Sequence, residues 1–329
     1  IGTDDFRISD MGPNGSSQYD AREPDVAYNS ALNQYLVVWH GDDDTATVDE
    51  EDEIFGQQLD AAGNEIVTND FRISDMGPDG NPAFRGLDPA VVFNSLNNQY
   101  LVVWQGSDTG EQEIFGQNLD NNANPIGTND FRISDMGPDG DPNYSAAHAD
   151  VAYNATNNRY LVVWSGDDNN GGVVNDEFEI YGQQLDGATG AEIGGDIRLS
   201  DMGGSGSPLY AAQEPAVAYD GASNEYLVVW RGDGDVGAID DEFEIFGQRL
   251  NAATGSEIVG NDLRLSDMGP DGSVNHEAML PAVAFNSGTN EALIVWAGDD
   301  AVDNEFEIYG QRFVSISYTV HVYLPVALR

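Results

Sequence analysis

The chain of 329 residues has no cysteine and no lysine. Without cysteine there is no disulfide framework, no thiolate nucleophile and no thiolate metal site. Its 12 basic residues, all arginine, face 58 acidic ones, and the formal net charge is −46. A field of that sign repels phosphate backbones and anionic lipid, which excludes nucleic acid and membrane surfaces as partners and favours cations. No apolar run approaches the roughly 18 residues a membrane span needs. No signal peptide is visible either, and a chain that begins at Ile1 inside a repeat phrase reads as a processed, mature secreted protein. The four histidines, His40, His148, His276 and His321, fall at four different repeat positions, so no metal or triad motif is built from them.

What is present is repetition. The five tryptophans, Trp39, Trp104, Trp164, Trp230 and Trp296, are the only ones, and each ends a Leu-Val-Val-Trp-type run. Phe6, Phe71, Phe131, Ile197 and Leu263 recur with them, as do Met11, Met76, Met136, Met202 and Met268, and Gln57, Gln117, Gln183, Gln248 and Gln311. A period of this size points to a propeller, solenoid or modular array. Each unit reads as four strands, in the first copy Asp25 to Asn29, Gln34 to Trp39, Glu53 to Leu59 and Glu65 to Ser74. A strand such as Tyr-Leu-Val-Val-Trp is apolar on both faces and needs cover on both. Radial stacking of four-stranded units supplies that cover, so the expected fold is an all-β, five-bladed β-propeller.

Blade boundaries are expected near 10–75, 76–135, 136–201, 202–267 and 268–313. The opening phrase Ile1 to Ser9 matches Ile126 to Ser134, a fourth strand, while the last unit lacks one. Residues 4–9 are therefore expected to complete the fifth blade. Residues 314–329 form an additional segment in which Ile316, Tyr318, Val320, Val322 and Leu324 alternate with polar residues, as in a half-buried strand. It is expected either to dock on its own ring or to be donated to a neighbouring copy, which would build a filament; the N-terminal arm and the tail could also exchange these roles.

Acidic residues concentrate between the second and third strands of every unit. They are Asp42, Asp43, Glu51 and Glu53; Asp108, Glu111 and Glu113; Asp167, Asp168, Glu177 and Glu179; Asp233, Asp235, Glu242 and Glu244; and Asp299, Asp300, Glu305 and Glu307. Several carboxylates in one hairpin repel unless a cation neutralises them, and Ca²⁺ takes six to eight oxygen ligands, so structural calcium is the expectation. The competing reading is a solvated acidic rim or adaptation to high salt. The Ser-Asp-Met-Gly-Pro-Asp-Gly connection reads as a tight turn with a buried methionine plug, or as further ligation by Asp75 and Asp79. The strand arginines Arg7, Arg72, Arg132, Arg198 and Arg264 are expected to reach a neighbouring carboxylate.

The order Pro-x-Val-Ala, Val-Val-Trp, Asp/Gly-rich loop, Ile-Phe-Gly-Gln-x-Leu-Asp resembles the repeats of large secreted bacterial surface and adhesin-like proteins, over about residues 4 to 313. The resemblance implies secretion, calcium dependence and a surface or adhesive role, and it carries over no catalytic residue. The expected function is thus a non-catalytic, calcium-binding structural or adhesive protein, with itself or extracellular glycans as partner. A lectin-like propeller, with Tyr19, Phe84, Tyr144 and Tyr210 stacking on sugars, is the alternative. A glycosidase using Asp25, Asp88, Asp150 and Glu214 at the innermost strand starts stands behind it, because these acids read as near-equivalent copies, whereas acid and nucleophile need unlike environments.

Overall fold

A computed structural model describes residues 5–13, 16, 19–42, 51–66, 69–78, 81–107, 110–167, 177–203, 210–234, 242–258, 260, 262–270, 276–299 and 306–314. Among these residues there are strands and turns and no helix, and so no helix long and apolar enough to cross a membrane. The expected tail strand, 315–329, lies outside the described residues.

Nineteen strands follow one another as antiparallel meanders. The first unit holds β1 (Ala21–Asn29), β2 (Gln34–Asp42), β3 (Asp52–Asp60) and β4 (Phe71–Arg72). The second holds β5 (Gly86–Asn94), β6 (Gln99–Ser107), β7 (Gln112–Asp120) and β8 (Pro125–Arg132), and the third β9 (Ser145–Asn154), β10 (Arg159–Asp167), β11 (Phe178–Asp186) and β12 (Glu192–Arg198). The fourth holds β13 (Ala212–Asp220), β14 (Glu225–Asp233), β15 (Phe243–Asn251) and β16 (Leu263–Arg264), and the last β17 (Ala278–Asn286), β18 (Glu291–Gly298) and β19 (Glu307–Val314). A single bridge, Gln112 to Ser145, ties the second unit to the third.

The four-residue turn between first and second strand ends on a left-handed asparagine in every unit, at Asn33, Asn98, Asn158, Asn224 and Asn290. Asparagine tolerates this conformation better than other residues with a side chain. The second strands are the core: in β6 every residue from Gln99 to Gly106 is buried, and Trp104, Trp164 and Trp230 are fully enclosed. Each methionine of the inter-unit connection plugs the next unit, as Met136 does by accepting a 3.3 Å hydrogen bond from Trp164 Nε1. Successive first strands pack side by side, β1 on β5, β5 on β9, β9 on β13 and β13 on β17.

The second strand runs on to Asp42 rather than ending at Trp39, the third is one residue longer at each end, and the first and fourth depart for a structural reason. The first strand starts earlier, at Ala21 rather than Asp25, because it runs through an irregularity that a strict period of two does not anticipate. The fourth shrinks to Phe71–Arg72 in the first unit, since beyond Arg72 the chain turns to the buried Ser74 and Met76.

Candidate active site

In every unit the first strand carries a β-bulge near its start: between Arg22 and Asp25, Leu87 and Ala90, Gln213 and Ala216, and Met279 and Ala282, and in β9 opposite Val163 and Ser165. The residue inside each bulge is left-handed: Glu23, Asp88, His148, Glu214 and Leu280 have φ of 51, 50, 55, 55 and 53°. For residues with a Cβ this costs about 1–2 kcal/mol each. A bulge re-aims side chains, and such bulges recur beside active sites.

Here they turn five strands toward one cavity of about 550 Å³, a volume suited to a small-molecule site. Its wall is partly apolar, with Pro24, Pro89, Pro215 and Pro281. Five carboxylates line it: Glu23, Asp25, Asp88, Asp150 and Glu214. The four acids expected at the strand starts are therefore brought together, but they are not equivalent. Asp88 and Glu214 occupy the bulge itself, whereas Asp25 and Asp150 stand two residues further along. Glu23 was missed, although the copies disagree with one another at its position, reading Glu, Asp, His, Glu and Leu.

Their environments differ as well. Asp150 Oδ2 accepts from Val217 N at 2.7 Å and Oδ1 from Val151 N at 2.8 Å. Asp150 keeps a face on the cavity, yet burial pushes its carboxyl up to about 7, against the pull of those two amides and helped by the charge of Asp25. Asp25, which accepts from Val91 N at 2.7 Å, is also raised by burial. Glu214 accepts from Leu280 N at 2.9 Å, and its own amide donates to Ser165 Oγ at 3.1 Å. An acid that holds a proton near neutrality beside further carboxylates is the equipment of acid–base hydrolysis.

The residue after each tryptophan supports the rim, and it too changes from copy to copy: His40, Gln105, Ser165, Arg231 and Ala297. His40 is buried, with Nδ1 3.4 Å from Glu23 Oε2 and 3.4 Å from the amide of Asp88. Arg231 lies between Glu214 at 3.8 Å and Glu277 at 3.6 Å, with its guanidinium 3.8 Å above the Phe243 ring.

The described acidic positions of the second and third strands lie at the same end of the sheet as the bulges, one and two strands further along it. Asp43, Asp108, Asp168, Asp235, Asp300 and Glu305 fall outside the described residues, as do Ile316, Tyr318, Val320, Val322 and Leu324. The described members are nearly all buried: Asp42, Glu51, Glu53, Glu111, Glu113, Asp167, Glu177, Glu179, Asp233, Glu242, Glu244 and Asp299. The second glutamate is clamped by protein in four units. Glu113 takes Arg132 at 2.5 Å, the Ser134 hydroxyl and Met136 N at 2.9 Å. Glu53, Glu179 and Glu244 repeat the clamp with Arg72, Arg198 and Arg264, so the arginines reach carboxylates as expected. Glu307, the fifth counterpart, is exposed. Tyr19, Phe84, Tyr144 and Tyr210 lie against Gly12, Gly77, Gly137 and Gly203, so close that a methyl group on the glycine would overlap the ring. Each ring is packed on the glycine side and remains half-buried.

No family model and no curated protein matches the chain. Solved structures do. An N-acetylgalactosamine deacetylase from F. plautii, in complex with blood group B trisaccharide, matches with a TM-score of 0.50 at 10% identity, covering 89% of this chain and 83% of that one. A family-43 β-1,3-galactosidase with galactodeoxynojirimycin matches at 0.49 and 10% identity, over 84% and 85% of the two chains. The Bacillus subtilis arabinanase Arb43A matches at 0.47 and 13%, over 89% and 96%. These are similarities of fold. The cavity corrects the expectation of a non-catalytic adhesive or structural protein that forms filaments through a donated strand, because the carboxylates expected to be equivalent are gathered in one concave space and sit in unlike settings.

Proposed function

We propose that the chain is a carbohydrate-active enzyme that hydrolyses a glycosidic bond in the cavity at the bulged ends of the first strands. The observation that carries this reading is Asp150, deep in that cavity with its carboxyl pushed up to about 7 and Asp25 near enough to add to the shift. Asp150 is the general acid, delivering its proton to the leaving glycosidic oxygen. Asp25 supplies the complementary carboxylate, activating water or attacking the anomeric carbon according to the separation of the two groups. Glu214, fixed by the Leu280 amide, lines the same space and positions substrate hydroxyls. The test is hydrolysis of a panel of aryl glycosides and oligosaccharides by the wild type, Asp150→Asn and Asp25→Asn. A wild type inert across the panel, or an Asp150→Asn variant of undiminished activity, sinks the reading; glycan binding without turnover would leave a carbohydrate-binding module.

We further infer that the five units form a five-bladed propeller closed by residues 6–9. The segment is already folded as a fourth strand would be. Arg7 Nε donates to Ser9 O at 2.6 Å, as Arg72 does to Ser74 O at 2.8 Å, and Trp39 Nε1 donates to Met11 Sδ at 3.3 Å. Its acceptor has an open edge: among the described residues β19 has only β18 beside it, and Ile308 is 76% exposed where Ile54, Ile114, Ile180 and Ile245 are 0%. Since Gly56 pairs with Phe71 and Gly116 with Phe131, Gly310 is assigned to Phe6. In this cysteine-free chain, Phe6→Cys with Gly310→Cys is expected to form an intramolecular disulfide; two persistently free thiols would refute closure. Calcium at the loop ends, supported by buried Asp42, Asp167, Asp233 and Asp299, is likewise proposed, and an unchanged melting temperature in EGTA would count against it.

A further inference from the structure

Arg231 departs from a pattern set by two other units. There the residue after tryptophan accepts the amide of the left-handed bulge residue in the next unit: His40 Nδ1 takes it from Asp88 at 3.4 Å, and Ser165 Oγ from Glu214 at 3.1 Å. Arginine carries five donors and no acceptor, so it cannot serve in this way. The amide of Leu280, the bulge residue that follows Arg231, finds another acceptor and donates to Glu214 Oε2 at 2.9 Å. Arg231 stands beside that carboxylate, paired across the sheet with Gln213, the residue before the bulge. Its guanidinium is held 3.8 Å from the centre of the Phe243 ring and lies 3.8 Å from Glu214 Oε1 and 3.6 Å from Glu277 Oε2.

Those two separations balance charge without making hydrogen bonds. The contrast with the clamps is direct. Arg132, Arg198 and Arg264 hydrogen-bond Glu113, Glu179 and Glu244 at 2.5, 2.5 and 2.7 Å, and a serine hydroxyl donates to the other oxygen, so both oxygens of those carboxylates are engaged. Glu214 is held differently. Its Oε2 is anchored on the Leu280 amide, while among the described residues Oε1 accepts no hydrogen bond, and the residue lines the cavity. A carboxylate with one oxygen fixed and the other charge-balanced and open is set to receive a sugar hydroxyl. Arg231 is not among the lining residues, and its side chain is 18% exposed, with Nε buried and without a hydrogen-bond partner. An unmet buried donor costs stability, so folding alone does not account for an arginine where other units carry Gln105 and Ser165.

We propose that Arg231 is a positioning residue for the hydrolysis: by leaving the Leu280 amide to Glu214 and balancing the charge of that carboxylate, it fixes Glu214 as the acceptor of a substrate hydroxyl. The proposal rests on the glycoside-hydrolase reading of the cavity and assigns a residue to its substrate contacts. The experiment measures kcat and KM on the best substrate of the glycoside panel. The proteins are the wild type, Arg231→Ser, Arg231→Gln, Arg231→Lys, Glu214→Gln, and Glu214→Gln combined with each of the first two, all checked by urea unfolding. Serine and glutamine occupy this place in the third and second units, and both restore an acceptor for the Leu280 amide; two such variants are used so that one decides if the other fails to fold. Each is expected to raise KM about tenfold with kcat within about twofold of wild type, since the contact holds substrate and transition state alike. Arg231→Lys keeps the charge, offers no acceptor, and is expected to stay within about threefold of the wild-type KM. In the Glu214→Gln background, replacing Arg231 is expected to change KM by less than about twofold, because the residue it acts through is already altered. Wild-type KM in both acceptor variants overturns the proposal and leaves the hydrolase reading standing. An equal rise of KM with and without Glu214 overturns it too, by assigning Arg231 to packing. A wild type that hydrolyses nothing removes the glycoside-hydrolase reading, and the proposal with it.

Discussion

Two regions of each unit are made from the same kinds of residue and behave in opposite ways. On the third and fourth strands, a glutamate, an arginine and a serine form a clamp that is the same in four units, with every carboxylate oxygen answered by a protein donor. On the first strands and beside them, the bulge residue and the residue after tryptophan change from copy to copy, and carboxylates gather with no arginine among the described residues of the cavity wall. Equal copies are what a structural device needs, since each unit has the same two faces to hold. Unequal copies are what chemistry needs, since an acid and its partner must differ. The acid-rich composition alone conceals this division, because both regions contribute to it.

Substitutions that exchange one property for the other separate the regions, and the largest effect belongs to the centre. Asp150→Asn is expected to lower the rate of glycoside hydrolysis by about 10²–10⁴-fold, while urea unfolding changes by less than about 1 kcal/mol. Arg132→Met is expected to do the reverse. It strands the buried Glu113, and also Glu111, whose Oε1 lies 2.9 Å from Arg132. A loss of about 3 kcal/mol should appear in urea unfolding, with kcat of the folded fraction unchanged. If Asp150→Asn costs stability and Arg132→Met costs rate, the assignment of roles to the two regions is wrong.

Much of the fold was legible because it is over-determined. Trp104, Tyr100 and Leu101 sit in a run that has no amphipathic alternative, and five copies of it leave no doubt about the unit. The site was legible in part. Asp25, Asp88, Asp150 and Glu214 could be placed at strand starts, but a regular period of two put them on a common footing, and only the bulge sets Asp88 and Glu214 apart from the other two. Glu23 was hidden because a left-handed glutamate has no sequence signature of its own. The loop glutamates read as metal ligands because their partner arginines are distant in sequence: Glu53 and Arg72 are 19 residues apart and meet only through the pairing of β3 with β4.

Between the two regions lie carboxylates at the joints of adjacent units, and they give a smaller effect with a definite sign. Asp130, Asp196 and Asp262 each accept the amide of an aspartate in the preceding unit at 3.1 Å, from Asp75, Asp135 and Asp201. Burial first, with nearby acids adding, pushes them up to about 6, 6 and 7 from an ordinary 3.8. A carboxyl raised on folding stabilises fully below its unfolded value, and that contribution disappears as pH rises through the folded one. Unfolding free energy is therefore expected to fall between about pH 4 and 7, by on the order of 1 kcal/mol per joint after solvent screening. Asp262→Asn should flatten the fourth-unit share of that slope. A pH-independent denaturation midpoint would mean that the joints are already neutralised, as by a bound cation.

The smallest effect tests the strain at the rim. Leu280 is the one bulge residue without a polar group; it is left-handed at φ 53° and 64% exposed, so it gains little from burial. Its amide, not its side chain, serves Glu214. Leu280→Gly keeps that amide and removes the Cβ penalty, and it is expected to raise unfolding free energy by about 0.5–1 kcal/mol without loss of hydrolysis. The same replacement at Asp88 relieves the same strain but deletes a rim carboxylate. A gain of stability at both positions, with hydrolysis lowered only at Asp88, would show that the left-handed backbone is maintained at the cavity for the side chains it presents. Destabilisation by Leu280→Gly would show instead that the side chain packs usefully, and would remove strain from the contrast between the two regions.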